Sequence, residues 1–99
     1  MNVKYWFCFF LLWMFAFPSM TANKKFTLVI DPGHGGKDQG AVGTYSKEKD
    51  LTLKFGLAFG RLVERNCPDV KVIYTRKTDV FIPLNTRADI ANRNKSDLF

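Results

Sequence analysis

The stretch TLVIDPGHGG, residues 27–36, decides the fold of this chain. Its apolar, β-branched half predicts a buried strand, and its proline and glycines end that strand in a turn. The turn presents His34, the only histidine of the sequence, and a carboxylate, Glu48, precedes a helical pattern further along. A neutral imidazole and a carboxylate are good zinc ligands, so the segment predicts the beginning of a metal site.

Two plainer interpretations of this turn remain open at this point. A lone histidine in a glycine-rich turn is most often a surface residue, and such a turn after a strand can also cradle a phosphate group. No Gly-Lys-Ser/Thr sequence follows, and the helical pattern starts far downstream, which disfavours phosphate. Asp31, at the end of the strand, is a candidate either to structure the loop or to orient the histidine from behind.

Outward from the turn, the hydrophobic pattern predicts the order β-α-β-α-β. The predicted elements are a strand at 26–30, a helix from an N-cap at Asp50 to about Arg65, a strand at 70–74, a helix at 84–94 and a third strand starting at 97–99. This order implies right-handed crossovers and an α/β fold, a mostly parallel sheet with helices on its faces. Loops after the strands collect at one edge, which places Thr75 and Arg76 near the two candidate ligands.

Three side chains of the first helix, Phe55, Phe59 and Leu62, are expected to pack in the core. Arg76 and Arg87 are candidates to contact carboxylates of a substrate, although ion pairs with Asp79 or Asp89, or simple solvation, explain them as well. The basic residues, which outnumber the acidic ones and give the whole sequence a formal net charge of +6, are scattered without aromatic interleaving. We therefore expect a solvated basic face or a weak attraction to an acidic polymer, and no nucleic-acid partner.

Residues 1–22 have the pattern of a secretory signal peptide. The apolar run from Tyr5 to Phe17 is shorter than the roughly 20 residues that span a bilayer, so we expect export to the periplasm or the exterior and no stable membrane anchor. Cleavage would remove Cys8 and leave Cys67 as the sole thiol, which we interpret as a half-buried packing residue.

Residues 26–99 resemble the zinc-dependent N-acetylmuramoyl-L-alanine amidases of bacterial cell-wall hydrolysis, the amidase type 3 domain. The resemblance lies in VIDPGHGGKD at 29–38, GAVG at 40–43, KEKDL at 47–51, TRKTD at 75–79, Leu84 with Arg87, and Ala91-Asn92 leading into DLF at 97–99. The family often has a glycine shortly before the ligand glutamate, where this chain has Tyr45-Ser46-Lys47, so the loop is expected to differ locally.

The resemblance implies that His34 and Glu48 are two of three protein ligands of a zinc ion. It also implies that the third ligand, a histidine closing the strand that starts at Asp97, and a catalytic glutamate lie beyond Phe99. On this basis residues 23–99 are the N-terminal part of an incomplete amidase domain and contain no catalytic residue. We expect weak or no catalysis and poor stability from these 99 residues alone.

The implied reaction is zinc-dependent hydrolysis of the amide bond between N-acetylmuramic acid and L-alanine in peptidoglycan, with peptidoglycan as the partner. Activator proteins cannot be named from the sequence. One alternative is a catalytically inactive wall-binding or regulatory protein with the same fold. A weaker alternative is another zinc peptidase or amidase on a related α/β scaffold.

Overall fold

The computed structural model describes residues 25–99, so the predicted signal peptide lies outside the described residues. The elements are β1 (Phe26–Ile30), α1 (Glu48–Asn66), β2 (Val70–Tyr74) and α2 (Leu84–Arg93). Both strands have the predicted bounds, and α2 ends one residue earlier than predicted. Of residues 25–99, no helix is long and apolar enough to cross a membrane.

The two strands pair in parallel, with Phe26 opposite Val70 and Ile30 opposite Tyr74. The chain crosses between them through α1, which packs on β2. On the other edge of β1, Leu98 forms a parallel bridge with Leu28, and the Val29 amide donates to the Leu98 carbonyl at 2.9 Å. The predicted third strand is therefore present as a single bridge, and β1 lies between its two neighbours.

Helix α1 begins at Glu48, so the prediction of an N-cap at Asp50 is wrong. The N-cap position is Lys47, which is extended and makes no capping hydrogen bond through its side chain. Carbonyls of the preceding loop replace the cap: the Glu48 amide donates to Ala41 at 2.8 Å, and the Lys49 amide donates to Gln39 at 3.1 Å. Since the first turn of a helix needs acceptors of any origin, the loop sets the start of α1.

The buried interior of residues 25–99 is small. Its buried hydrophobic residues are Val29 and Ala91, whereas Thr75, Arg76 and Arg87 are buried polar residues. The expectation that Phe55, Phe59 and Leu62 form core is wrong: they are 67%, 53% and 56% exposed. The apolar face of α1 is wider than the strip that packs on the sheet, so part of it faces solvent here.

Cys67 is exposed, which corrects the expectation that it is half-buried. It occupies the C-cap of α1, where its amide donates to the Val63 carbonyl at 2.8 Å. The backbone of Cys67 therefore ends the helix, and its side chain lies at the surface.

Candidate metal site

The glycine-rich turn after β1 holds His34 in a left-handed backbone conformation, with φ of 64°. This conformation is uncommon for a residue with a side chain, so the surroundings must hold it in place. Gly35 and Asp38 close the turn through two backbone hydrogen bonds, of 2.7 and 3.0 Å. Gly35 itself has φ of 128°, and a Cβ there would collide with the Val80 carbonyl, so the turn requires glycine at this position.

The His34 ring lies between two carboxylates. Its Nε2 is 2.9 Å from Glu48 Oε1, and its Nδ1 is 3.0 Å from Asp38 Oδ2. Because α1 begins at Glu48, the side chain of that residue projects directly toward the turn. The structure thus brings the two predicted ligands together, on side chains that are only partly buried and accessible to a metal ion.

Each group of this cluster has a shifted pKa. Hydrogen bonding to Asp38, and then to Glu48, raises the pKa of His34. The Ala41 amide, 2.8 Å from Glu48 Oε2, lowers the pKa of Glu48, with His34 as the next cause. The His34 hydrogen bond, followed by that from the Gly40 amide, lowers the pKa of Asp38. Both carboxylates therefore stay ionised at neutral pH, which favours binding of a cation.

Arg76 ties the turn to α1 from the inside. Its guanidinium donates to the carbonyls of Pro32 at 3.0 Å, Gly33 at 2.9 Å and Lys49 at 2.9 Å. The side chain is only 3% exposed, and this burial is the main cause that lowers its pKa. Arg76 is thus not solvated, and its guanidinium N–H groups donate mainly to backbone carbonyls.

Arg87 fixes the turn from the side of α2. It forms an ion pair with Asp31 at 2.7 Å and donates to the carbonyls of Pro32 and His34, each at 2.8 Å. Asp31 Oδ1 also accepts from Thr75 Oγ1 at 2.7 Å. The ion pair of Arg87 is with Asp31, so the prediction of a pair with Asp89 or Asp79 is wrong. Asp31 does not contact the imidazole, and Arg87 is the side chain that links it to the His34 carbonyl.

A third set of polar contacts, which was not predicted from the sequence, joins the loop after β2 to the same turn. Asp79 accepts from the Gly36 amide at 2.7 Å and pairs with Lys49 Nζ at 2.8 Å. The Lys49 hydrogen bond, and then that of Gly36, lowers the pKa of Asp79. Lys49 also donates to the Gly36 carbonyl at 3.2 Å, so the amide and the carbonyl of Gly36 are both hydrogen-bonded.

A cleft of about 530 Å³ opens beside His34 and Asp38. Its opposite wall is apolar and consists of Phe81, Ile82 and Leu84. The cleft lies where β1 ends, the edge at which parallel α/β sheets bind ligands. Within residues 25–99 there is no group of three or more potential ligands that could hold a metal ion.

Comparison with known proteins identifies the family. Residues 28–99 match the family model described as N-acetylmuramoyl-L-alanine amidase, the type 3 amidase family. The chain belongs to this family. The match includes the turn that carries His34 and the start of α1 that carries Glu48.

Two relatives illustrate how far the similarity of this amidase-family chain extends. It is 41% identical over 78 residues to the N-acetylmuramoyl-L-alanine amidase AmiC of Escherichia coli O6:H1, covering 78% of this chain and 18% of AmiC. It is 44% identical over 70 residues to the endolysin of Bacillus phage SPP1, covering 71% of this chain and 26% of the endolysin. The chain thus spans about a fifth to a quarter of the length of these relatives.

Solved amidase structures confirm the predicted α/β fold. The N-acetylmuramoyl-L-alanine amidase AmiC2 of Nostoc punctiforme superposes with a TM-score of 0.69 and 39% identity, over 76% of this chain and 41% of that one. The enzyme from Clostridium difficile 630 gives a TM-score of 0.72 and 35% identity, over 77% of this chain and 42% of that one.

The sequence of this amidase-family chain placed His34 and Glu48 at one edge of the sheet, and the structure places them in contact. Their ligation of zinc stays a prediction, as does the action of Asp31 on a metal ligand. Asp38 was missed as a neighbour of the imidazole, although it lies within the quoted motif. Its spacing of four residues after His34, across a turn that contains Gly35 and Gly36, is the signal that points to this contact.

Proposed function

We propose that this chain forms the zinc-holding N-terminal portion of an amidase that hydrolyses the bond between N-acetylmuramic acid and L-alanine in peptidoglycan. The observation that carries the proposal is the approach of His34 Nε2 to Glu48 Oε1, 2.9 Å apart, at the carboxyl end of β1. Two conventional zinc donors meet there on an accessible edge, beside an open cleft.

The donor set fits zinc. One imidazole nitrogen and one carboxylate oxygen are ligands that a catalytic zinc site combines with a third protein ligand and a water molecule. The family resemblance assigns the third ligand to a histidine that ends the strand begun at Asp97, and the catalytic glutamate to a later segment. Leu98 already pairs with β1, so that strand runs toward the same edge as His34.

The residues of this chain hold and shape the site. His34 and Glu48 would bind the ion, and Arg87 fixes the His34 backbone through its carbonyl. The wall of Phe81, Ile82 and Leu84 makes one side of the cleft apolar and so limits water beside the scissile bond. When bound, zinc supplies a Lewis acid that polarises the amide carbonyl and lowers the pKa of water.

The substrate and compartment are proposed together. AmiC of Escherichia coli O6:H1 and both solved structures are named as N-acetylmuramoyl-L-alanine amidases, which supports the muramoyl-alanine amide as the bond that is cut. Peptidoglycan lies outside the cytoplasmic membrane, and the pattern of residues 1–22 predicts export. We therefore propose a periplasmic or extracellular cell-wall hydrolase. Determining the N-terminal residue of the secreted protein by mass spectrometry would check cleavage near Ala22.

The test uses His34→Gln and Glu48→Gln in the protein as the cell makes it, with Glu64→Gln on the exposed side of α1 as the matched control. We expect both site variants to lose bound zinc, measured by elemental mass spectrometry, and to stop releasing stem peptides with free L-alanine amines. Glu64→Gln should retain both properties. Normal zinc content and hydrolysis in either site variant would refute the proposal.

The alternative of an inactive wall-binding protein makes a different prediction in the same assay. Such a protein would sediment with purified peptidoglycan and release no peptide, with or without added zinc. The coding sequence after Phe99 gives an independent check. A strand-ending histidine and a later glutamate would support hydrolysis, and their absence would favour wall binding alone.

A further inference from the structure

We propose that Asp38 is a positioning residue that fixes the imidazole of His34 so that Nε2, and not Nδ1, faces the metal. This inference rests on the proposed function, since it concerns how one of the two zinc ligands is oriented. It assigns to Asp38 the role toward the ring that the sequence analysis considered for Asp31.

The first step is the position of the ring between two carboxylates. Glu48 Oε1 faces Nε2 at 2.9 Å, and Asp38 Oδ2 faces Nδ1 at 3.0 Å. If Glu48 is a ligand, the metal lies on the Nε2 side of the ring. A neutral histidine that offers Nε2 to a metal carries its proton on Nδ1. Asp38 is then the acceptor of that N–H.

The second step is that Asp38 is itself held in place. Its Oδ1 accepts from the Gly40 amide at 3.1 Å, which leaves Oδ2 directed at the ring. Its backbone exchanges hydrogen bonds with Gly35 across the turn. A carboxylate fixed at both its backbone and its second oxygen can hold the ring at one rotation, as the acceptors behind metal-bound histidines commonly do.

The third step separates Asp38 from Asp31. Asp31 Oδ1 accepts from Thr75 and Arg87, and it reaches His34 only through the bond from Arg87 to the His34 carbonyl. Asp31 therefore positions the backbone of the ligand, and Asp38 positions its ring. A change at Asp31 should disturb folding of the turn, whereas a change at Asp38 should alter which ring nitrogen binds.

The experiment is long-range ¹H–¹⁵N correlation NMR on protein labelled with ¹⁵N-histidine, with and without zinc. The full-length protein is used, and since a further histidine ligand is expected after Phe99, the two ring nitrogens of His34 are identified as the pair of signals that is missing from His34→Gln. Zinc alone is the probe. The variants are Asp38→Ala and Asp38→Asn, and Asp89→Ala on the exposed side of α2 is the control. Zinc affinity is measured in parallel by competition with a chelating dye.

In the wild-type protein we expect zinc on Nε2 and a proton on Nδ1. Asp38→Ala should weaken zinc binding by about 10- to 100-fold and give a mixture of Nδ1 and Nε2 coordination. Asp38→Asn keeps a neutral acceptor and should show an intermediate loss with Nε2 still preferred. It also provides the test if circular dichroism shows that Asp38→Ala does not fold. Asp89→Ala should match the wild type.

The outcomes distinguish this inference from the proposed function. Zinc binding through Nε2 with unchanged affinity and ring state in both Asp38 variants would overturn the positioning role and leave the zinc site standing. Zinc on Nδ1 of the wild-type protein would also overturn it. If the wild-type protein binds no zinc through His34, the proposed function fails first, and the inference fails with it.

Discussion

The turn around His34 and the outer side of α1 are built on opposite principles. In the turn, buried Arg76 and Arg87 donate to the backbone carbonyls of Pro32, Gly33 and His34. On the outer side of α1, the exposed apolar side chains of Leu51, Phe55, Phe59 and Leu62 recur at intervals of three or four residues and form one stripe. The turn is held by buried polar side chains, whereas the stripe on α1 is apolar and exposed.

The difference shows what orders residues 25–99. An arginine is rarely buried in a protein unless its N–H groups have hydrogen-bond acceptors. Here two buried arginines, Arg76 and Arg87, hold the turn that carries His34. Buried apolar side chains are few in the same residues. The turn therefore depends on hydrogen bonds supplied by α1, α2 and the loop after β2, whereas the apolar stripe contributes little to stability while it faces water.

The largest expected effect is at Arg87. Arg87→Ala removes the ion-pair partner of Asp31 and the arginine donor to the carbonyls of Pro32 and His34, which should cost about 3 kcal/mol of unfolding free energy. Arg93→Ala, at the exposed end of the same helix, is the matched control and should cost less than about 0.5 kcal/mol. Urea unfolding followed by circular dichroism measures both, and equal losses would contradict the enclosed-network description.

An intermediate effect is expected on the inner side of α1. A Cβ at Gly60 would collide with the Tyr74 ring, and overpacking of this kind costs about 1–3 kcal/mol, partly offset by the better helix propensity of alanine. Gly60→Ala should therefore lower the free energy of unfolding by about 1 kcal/mol. In a Tyr74→Ala background the same change should stabilise. Destabilisation of equal size in both backgrounds would show that the two residues do not interact.

A smaller, pH-dependent effect is expected at Asp79. The hydrogen bonds from Lys49 and the Gly36 amide hold its pKa in the folded protein below that of a free aspartate. Its pairing therefore stabilises the fold above the pKa of the unfolded chain and is lost as the pH falls through the folded pKa. Asp79→Asn should lower Tm at pH 7 and leave it nearly unchanged in strong acid. Asp89→Asn, on the exposed side of α2, should show no such pH dependence. An equal Tm loss for Asp79→Asn at both pH values would contradict the ion-pair explanation.

The smallest effect is expected on the apolar stripe. Phe55→Gln and Phe59→Gln should each change the free energy of unfolding by no more than about 0.5 kcal/mol, because both rings already face solvent. The doubly substituted protein should self-associate less, as measured by light scattering after size-exclusion chromatography. A loss above about 1.5 kcal/mol would mean that the stripe packs against other protein, and the contrast with the turn would then disappear.

Much of the fold could be predicted because it depends on local patterns. Short apolar runs bounded by glycine, proline and asparagine gave both strands their observed limits, and the β-α-β order made the pairing parallel. The start of α1 could not be predicted in this way. Its first amide groups use carbonyls of Gln39 and Ala41, and such a contact between a loop and a helix has no signal in the side chains.

The pairing of His34 with Glu48 could be predicted from the sequence, whereas the hydrogen bonds that hold the turn could not. The chemistry of His34 and Glu48 is visible in the sequence, and the α/β topology places them on one edge. The partners of Arg76 and Arg87 are mostly backbone carbonyls, which every residue carries and which leave no signal in the sequence. The sequence instead favoured Asp79 and Asp89, and the carboxylate that Arg87 uses is Asp31. The exposure of Phe55 could not be predicted either. Periodicity shows which side of a helix is apolar, but it does not show whether another element packs on that side.

The contact between Gly60 and Tyr74 has a consequence for sequence divergence. The tyrosine ring occupies the space that a side chain at position 60 would need, so only one of the two positions can carry a large residue. Among homologous sequences, a larger residue at position 60 should be accompanied by a smaller one at position 74, because either change alone creates a clash or a cavity. Substitutions at these two positions should therefore covary, although they lie on different elements and neither belongs to the turn that carries His34.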